Sequence, residues 1–224
     1  MTNAESPTIL CRKLSNFDCE QLDSVRREFY RGVPARLKQS WLPVSQQGFE
    51  SGLIYTGWKD SDFFVFAELA DADIFTLAKE SGDRLWRLGD TFEIFLGRPD
   101  REAYYEFHVA PNNLKLQLHF SNRQAAVWVG RTQRFEDLMM RGDAFVSRTW
   151  VMPEIKRWFV LGRVSGKLLE PKGELSAARW SFSFCRYDYT RGEEVPVISS
   201  TSPYTKADFH RRHEWGTICF EQAV

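Results

Sequence analysis

Residues 85–120 read LWRLGDTFEIFLGRPDREAYYEFHVAPNNLKLQLHF, and the fold is decided here. Three short segments alternate in character. Phe92, Ile94 and Leu96 alternate with Thr91, Glu93 and Phe95, and Tyr105, Phe107 and Val109 with Tyr104, Glu106 and His108. Leu114, Leu116, Leu118 and Phe120 alternate with Lys115, Gln117 and His119. A period of two marks strands with one face on a core. Gly97-Arg98-Pro99-Asp100 and Pro111-Asn112-Asn113 have the composition of hairpin turns. The stretch therefore predicts a three-stranded meander.

Its register can be predicted as well. Matching the apolar faces and centring the first turn near Pro99–Asp100 puts Glu93 opposite Glu106 and Phe95 opposite Tyr104. Centring the second on Asn112–Asn113 puts Glu106 opposite His119 and His108 opposite Gln117. The expected outward face is a row Glu93–Glu106–His119 flanked by Phe95, Tyr104, His108 and Gln117. A one-residue slip would expose the whole apolar set, so parity is constrained more tightly than pairing. Like charges directly opposed on a sheet are destabilising. Facing glutamates point to a ligand, a cation or a shared proton as compensation. The bland alternative is two solvated glutamates on an open face, paired with Lys115 or arginines.

The same stretch resembles a known family. Trp86, Asp90, Glu93, Ile94 and Phe95, then Tyr104, Tyr105, Glu106 and Phe107, resemble the core motif of the carbohydrate-binding module family 9-like domains. Trp180-Ser181-Phe182-Ser183-Phe184-Cys185-Arg186 is similar to a later motif of that family. Ser202-Pro203, Phe209-His210 and Trp215-Gly216 resemble its closing motif. Together they span Trp41 to Phe220. The resemblance implies a non-catalytic sugar-binding fold related to the DOMON domains. It marks Trp86 and Glu93 as ligand contacts, and Arg186 either as a contact or as a structural ion pair. The family's second clamping tryptophan has no counterpart in Thr201-Ser202-Pro203, and Tyr204 is the aromatic residue nearest that place.

Working outward, the chain has 224 residues, with 30 basic and 30 acidic side chains and an aromatic content of 15%. That length suits one large all-β domain with a real core. A formal charge of zero without a basic stripe argues against a nucleic-acid partner. No apolar run approaches the roughly 20 residues of a membrane span. The start, MTNAESPTIL, has no secretory pattern, so a cytoplasmic protein is expected. Cys11, Cys19, Cys185 and Cys219 have no metal-finger spacing and read as free thiols.

Further strands are expected at residues 8–13, 52–58, 63–69, 125–129, 145–151, 158–164, 179–187 and 216–221. Residues 19–32 and 74–80 have helical spacing, and residues 191–208 read as a surface loop. Many short strands with little helix predict an all-β, two-sheet antiparallel β-sandwich of immunoglobulin or jelly-roll type, with short helical excursions. One domain over 1–224 is expected, residues 1–40 being an N-terminal extension to a sandwich at 41–221.

The predicted function is non-catalytic saccharide binding on one sheet face. Aromatic faces suit the C–H patch of a sugar ring, and carboxylates or amides suit its hydroxyls. The predicted contacts are Trp86, Glu93, Tyr104, Glu106, His108, His119, Arg186 and Tyr204. His210 and His213 read as loop anchors. Glycoside hydrolysis by the Glu93–Glu106 pair is the enzymatic alternative. Asp60, Asp62, Asp71 and Asp73 offer hard oxygens for a structural Ca²⁺. The DOMON relationship leaves open haem held by Met139, Met140 or Met152 with His108 or His119. A third reading is an interaction domain that has kept the sandwich and lost the sugar.

Overall fold

A computed structural model describes residues 6–121, 134–171, 174–177 and 179–221. Among them twelve strands form. In the first half of the chain these are β1 (Thr8–Lys13), β2 (Ala35–Arg36), β3 (Gly52–Lys59), β4 (Asp62–Ala70), β5 (Thr91–Gly97), β6 (Tyr104–Val109) and β7 (Lys115–Phe120). β8 (Phe145–Met152), β9 (Arg157–Val164), β10 (Trp180–Asp188), β11 (Val197–Ser200) and β12 (Gly216–Phe220) follow. Two helices, α1 (Leu22–Phe29) and α2 (Gly166–Leu169), and several single 3₁₀ turns complete the described elements. No described helix is long and apolar enough to cross a membrane.

The strands run in one path, β7-β6-β5-β10-β12-β1-β3-β4-β9-β8, with β11 added to β10 and β2 to β3. β1 is the seam. Its first part, Thr8–Cys11, pairs in parallel with β12, and Arg12–Lys13 pairs in parallel with β3. The expected pair of separate sheets is therefore one continuous, barrel-like sheet, because a single strand changes partners midway. Its two edges, β7 and β8, also approach each other. Gln117 donates through Nε2 to the Gly142 carbonyl and accepts from the Phe145 N–H, each at 3.0 Å. Thr149 Oγ1 donates to the Pro111 carbonyl at 2.8 Å.

The halves of this sheet close on a core of Phe92, Ile94, Leu96, Phe107 and Phe184 on one side and Val65, Leu69, Trp158 and Val160 on the other. This is the face the alternation predicts for β5, β6 and β10. α1 buries Val25 and Phe29 on the outer face of the second half, against Phe66 and Phe159. The face of β5 and β6 opposite the main core is not open. Leu85, Tyr204, Phe209 and Trp215 cover it, forming a second apolar cluster with Phe95, Tyr104, Leu118 and Phe120. β5 is consequently buried along its whole length on both faces.

The observed register differs from the expected one in two ways. In the first hairpin Glu93 faces His108 and Phe95 faces Glu106, a two-residue shift that keeps parity. In the second, Glu106 faces Leu118, and His119 faces Tyr105. There the loop is three residues, 111–113, with Asn113 at φ +63°. A three-residue hairpin ending in a left-handed residue is a favoured geometry, and its odd count reverses the parity of β7 relative to a two-residue turn.

Residues 74–80 form no helix, and β11 lies within the stretch read as loop. The strand expected at 125–129 lies outside the described residues.

Candidate functional site

Glu93 on β5 and Glu106 and His108 on β6 project to the same side of the sheet because they share strand parity and register. The covering loops turn that side into an interior, and all three side chains are almost fully buried. His108 bridges the two acids: Nδ1 lies 3.0 Å from Glu93 Oε1 and Nε2 lies 3.2 Å from Glu106 Oε2. The chain of polar groups continues outward. Glu106 Oε1 is 3.2 Å from Nδ1 of the half-exposed His210, which is hydrogen-bonded to the Tyr104 hydroxyl at 2.8 Å.

Electrostatics fix the state of the imidazole. Burial works against a charged ring, but the nearby Glu93 charge and the hydrogen bond to Glu106 outweigh it and lift His108 to about 9. The two acids thus favour the protonated form of the ring held between them. Alignment is incomplete. Glu93 Oε1, Glu106 Oε1 and His108 Nδ1 are buried yet make no well-directed hydrogen bond, although the ion-pair distances are short. Unsatisfied buried acceptors are uncommon and costly.

These groups line a cavity of ≈ 380 Å³, within the size range of small-molecule sites. Trp86, Phe95, Phe120, Phe135 and Phe209 supply aromatic wall, with Arg84, Arg87 and Asp208 among the other lining groups. Trp86 is held by a 3₁₀ turn, Leu85–Arg87, whose backbone accepts the Tyr189 hydroxyl at 2.8 Å. The indole lies edge-on to His108, with centroids 5.4 Å apart.

The cavity thus brings together five of the expected contacts: Trp86, Glu93, Glu106 and His108 line it, and Tyr104 joins through His210. Three are elsewhere. His119 faces the other side of the sheet, stacked on Tyr105 at 4.8 Å, as the reversed parity of β7 requires. Tyr204 is fully buried in the cover, its hydroxyl donating to the Phe209 carbonyl at 2.7 Å, and Phe209 presents the aromatic surface instead. Arg186 has the parity of Phe184 and points into the main-core side. Lining residues that escaped the sequence reading include Tyr187, Ile198, Asp208 and Phe209, and His210 does more than anchor its loop. Tyr187 shares the parity of Cys185, which faces Glu93, and was in that sense legible.

Arg186 is at the centre of a separate buried cluster. Nη2 lies 2.9 Å from Asp71 Oδ2 and 3.1 Å from Asp188 Oδ2. Asp90 completes the group and accepts the Phe75 N–H at 2.7 Å and the Tyr189 N–H at 2.9 Å. Desolvation pushes Asp90 up to about 8 and Asp188 up to about 7. The guanidinium already occupies the position of a cation, and both Asp90 oxygens are committed to backbone. The cluster does not fit Ca²⁺.

Among the described residues the four loop acids expected to hold calcium form no common cluster. Asp60 pairs with Lys59 and Asp62 accepts the Gly166 N–H. Asp71 joins Arg186, and Asp73 pairs with Arg191. Of the described groups expected for haem, only Met139 and His108 share one side of the sheet. Met152 packs in the cluster under α1, Met139 against the loop cover, and the two histidines lie on opposite faces of β6 and β7.

No family model and no curated protein matches the sequence. Solved structures do match the fold. A Bacteroides uniformis protein described as carbohydrate-binding superimposes with a TM-score of 0.71 at 13% identity, over 97% of this chain and 100% of that one. A family 9 carbohydrate-binding module from Caldicellulosiruptor kristjanssonii, in complex with cellotriose, gives 0.67 at 15% identity over 97% and 95% of the two chains. A module of the same family and organism, in complex with glucose, gives 0.64 at 15% identity over 97% of each chain. The chain has the fold of the family 9 carbohydrate-binding modules.

Proposed function

We propose that the cavity above Glu93, His108 and Glu106 binds a saccharide without cutting it. The observation that carries the reading is the pair of buried carboxylate oxygens, Glu93 Oε1 and Glu106 Oε1, left without directed donors inside an aromatic-walled cavity. Sugar hydroxyls are donors of the right kind, and a ring edge laid against Trp86 or Phe209 would bury its C–H surface. The likeness of fold to modules crystallised with cellotriose and glucose supports the same reading. A non-catalytic role fits the site chemistry. The His108 ring occupies the space between the two acids, whereas the two carboxyl groups of a glycosidase flank the scissile bond. Calorimetric titration with glucose and cellotriose tests the reading, with analysis of the recovered sugar alongside. Heat of binding that saturates, with intact sugar recovered, supports it. Absence of binding to both at millimolar concentration counts against it, and release of new reducing ends would make the protein an enzyme.

A further inference from the structure

We infer that the sugar unit this cavity selects carries a free amine, with one carboxylate of the Glu93–Glu106 pair taking the ammonium and the other a hydroxyl. The inference rests on the saccharide reading above and narrows it to a class of sugar.

The argument is a balance of charge in a buried place. The floor of the cavity holds two acids with a single histidine between them, so the acids outnumber their buried basic partner. The surrounding positive groups are poorly placed to make up the difference. Arg84 and Arg87 are exposed at the rim, and the Arg84 guanidinium is laid 4.3 Å over the Phe135 ring. Arg212 lies against Tyr104 and donates to the carbonyl oxygens of Arg98, Arg101 and Glu102. His210 and the Tyr104 hydroxyl are the other polar neighbours of Glu106; the first is half-exposed to water and the second brings no positive charge.

The field of the pair is felt by its neighbours. Burial raises the Tyr187 hydroxyl and the Cys185 thiol, and the charges of Glu93 and Glu106 raise both further. A neutral sugar hydroxyl would satisfy an orphaned oxygen but leave the excess of acid groups unbalanced. An ammonium does both, and a charge-assisted hydrogen bond is about twice as strong as a neutral one. The two orphaned oxygens also belong to different carboxylates, on opposite sides of the His108 ring. One cation cannot be presumed to reach both, which is why a ring bearing one amine and adjacent hydroxyls suits the site better than a simple ammonium ion.

The test is calorimetry on the whole protein at pH 6 with three probes: glucosamine, glucose and N-acetylglucosamine. Glucosamine is expected to bind about tenfold more tightly than glucose, the difference between a charged and a neutral hydrogen bond. N-acetylglucosamine, its amine neutralised, should bind no more tightly than glucose. Glu93→Gln or Glu106→Gln, whichever carboxylate takes the ammonium, should abolish the preference, glucosamine and glucose falling to a common affinity in that variant. Equal or weaker binding of glucosamine than glucose overturns the inference and leaves the saccharide reading intact. Failure of all three sugars to bind removes both. A glucosamine preference that survives in both variants means that the amine is read elsewhere, which also overturns the inference. Should the variants fail to fold, the three-sugar comparison on the unaltered protein decides alone.

Discussion

Glu93 and His108 face each other across the β5–β6 pairing, Oε1 and Nδ1 3.0 Å apart, with Glu106 on the far side of the same ring. The pairing converts what would have been two opposed like charges into an acid–base–acid bridge. It also explains how two nearly inaccessible glutamates persist in the fold, since the protonated ring offsets charge on the acids it bridges.

Replacing His108 by Gln removes that offset and leaves both carboxylates buried together. Loss of one partner from a buried ion pair costs ~3–5 kcal/mol. The variant is therefore expected to melt well below the unaltered protein at pH 7. Protonation of a glutamate in the variant would restore part of the loss in acid. Thermal melts at pH 5 and pH 7 check this, and a variant equally stable to the original at pH 7 would contradict the bridge.

Stability should fall as pH rises from mildly acidic to alkaline. His108 is lifted from its ordinary value to about 9, so its contribution is complete below about 6.5 and is lost as pH rises through about 9. Asp188 and Asp90, raised to about 7 and about 8, act in the same direction. Each favours the native state while protonated and is forced to ionise in the core as pH climbs. Glu214, lowered to about 2 chiefly by its hydrogen bond from Arg211, works oppositely, with stability lost as pH falls below the usual carboxylate range. A melting temperature that is highest near pH 4–5 and declines up to about pH 9, the aspartates acting from about 4 to about 8 and His108 from about 6.5 to about 9, is the expected outcome. A flat profile over that window would refute the assigned environments.

Arg186→Met removes the only guanidinium from the Asp71–Asp90–Asp188 cluster and should destabilise by ~3–5 kcal/mol. Both Asp90 oxygens are committed to backbone N–H groups, so added Ca²⁺ is not expected to rescue the variant. Melting with and without millimolar calcium distinguishes the cases. In the unaltered protein neither calcium nor a chelator should shift the transition, since an ion bound only by the native state would raise it.

Phe92 is completely buried between the two halves of the sheet, stacked near Phe184 with ring centroids 6.3 Å apart. Phe92→Ala should cost ~3–5 kcal/mol through lost burial and a residual cavity. Tyr204→Phe is the contrasting case, since it deletes one hydrogen bond from the cover and should cost ~1 kcal/mol. Chemical denaturation measures both, and a smaller loss for Phe92→Ala than for Tyr204→Phe would invert the account of what holds the fold.

The parity of β5 and β6, and with it the joint placement of Glu93, Glu106 and His108, was readable from alternation alone. The side of a strand is set by its period of two and needs no knowledge of its neighbours. Other placements depended on features that alternation does not encode. His119 was assigned to the wrong face because Leu114, Leu116, Leu118 and Phe120 were matched to the main core. The loops that cover the site create a second apolar interior, and those residues belong there. Arg186 ends a strand whose face was legible, yet its partner Asp71 is 115 residues distant in sequence. The same distance in sequence hid Phe209 and His210, which reach the site only because the segment 201–215 folds back over β5 and β6. The seam at β1 was hidden for a related reason, since nothing in a six-residue strand announces that its two ends pair with different partners.

Trp86 is the aromatic wall nearest the acid–base–acid bridge. Trp86→Ala should leave the melting temperature largely unchanged, because the ring is only partly buried, and should weaken saccharide binding about tenfold to hundredfold, the ~1–3 kcal/mol of a lost stacking and desolvating surface. Undiminished binding in this variant would place the sugar on another surface.

The most direct measurement is the crystal structure of the protein soaked with glucose or glucosamine. The account predicts one sugar ring in the cavity, within hydrogen-bond distance of Glu93 Oε1 and Glu106 Oε1 and in contact with Trp86 or Phe209. A ring bound elsewhere, or an empty cavity at saturating sugar, would contradict it.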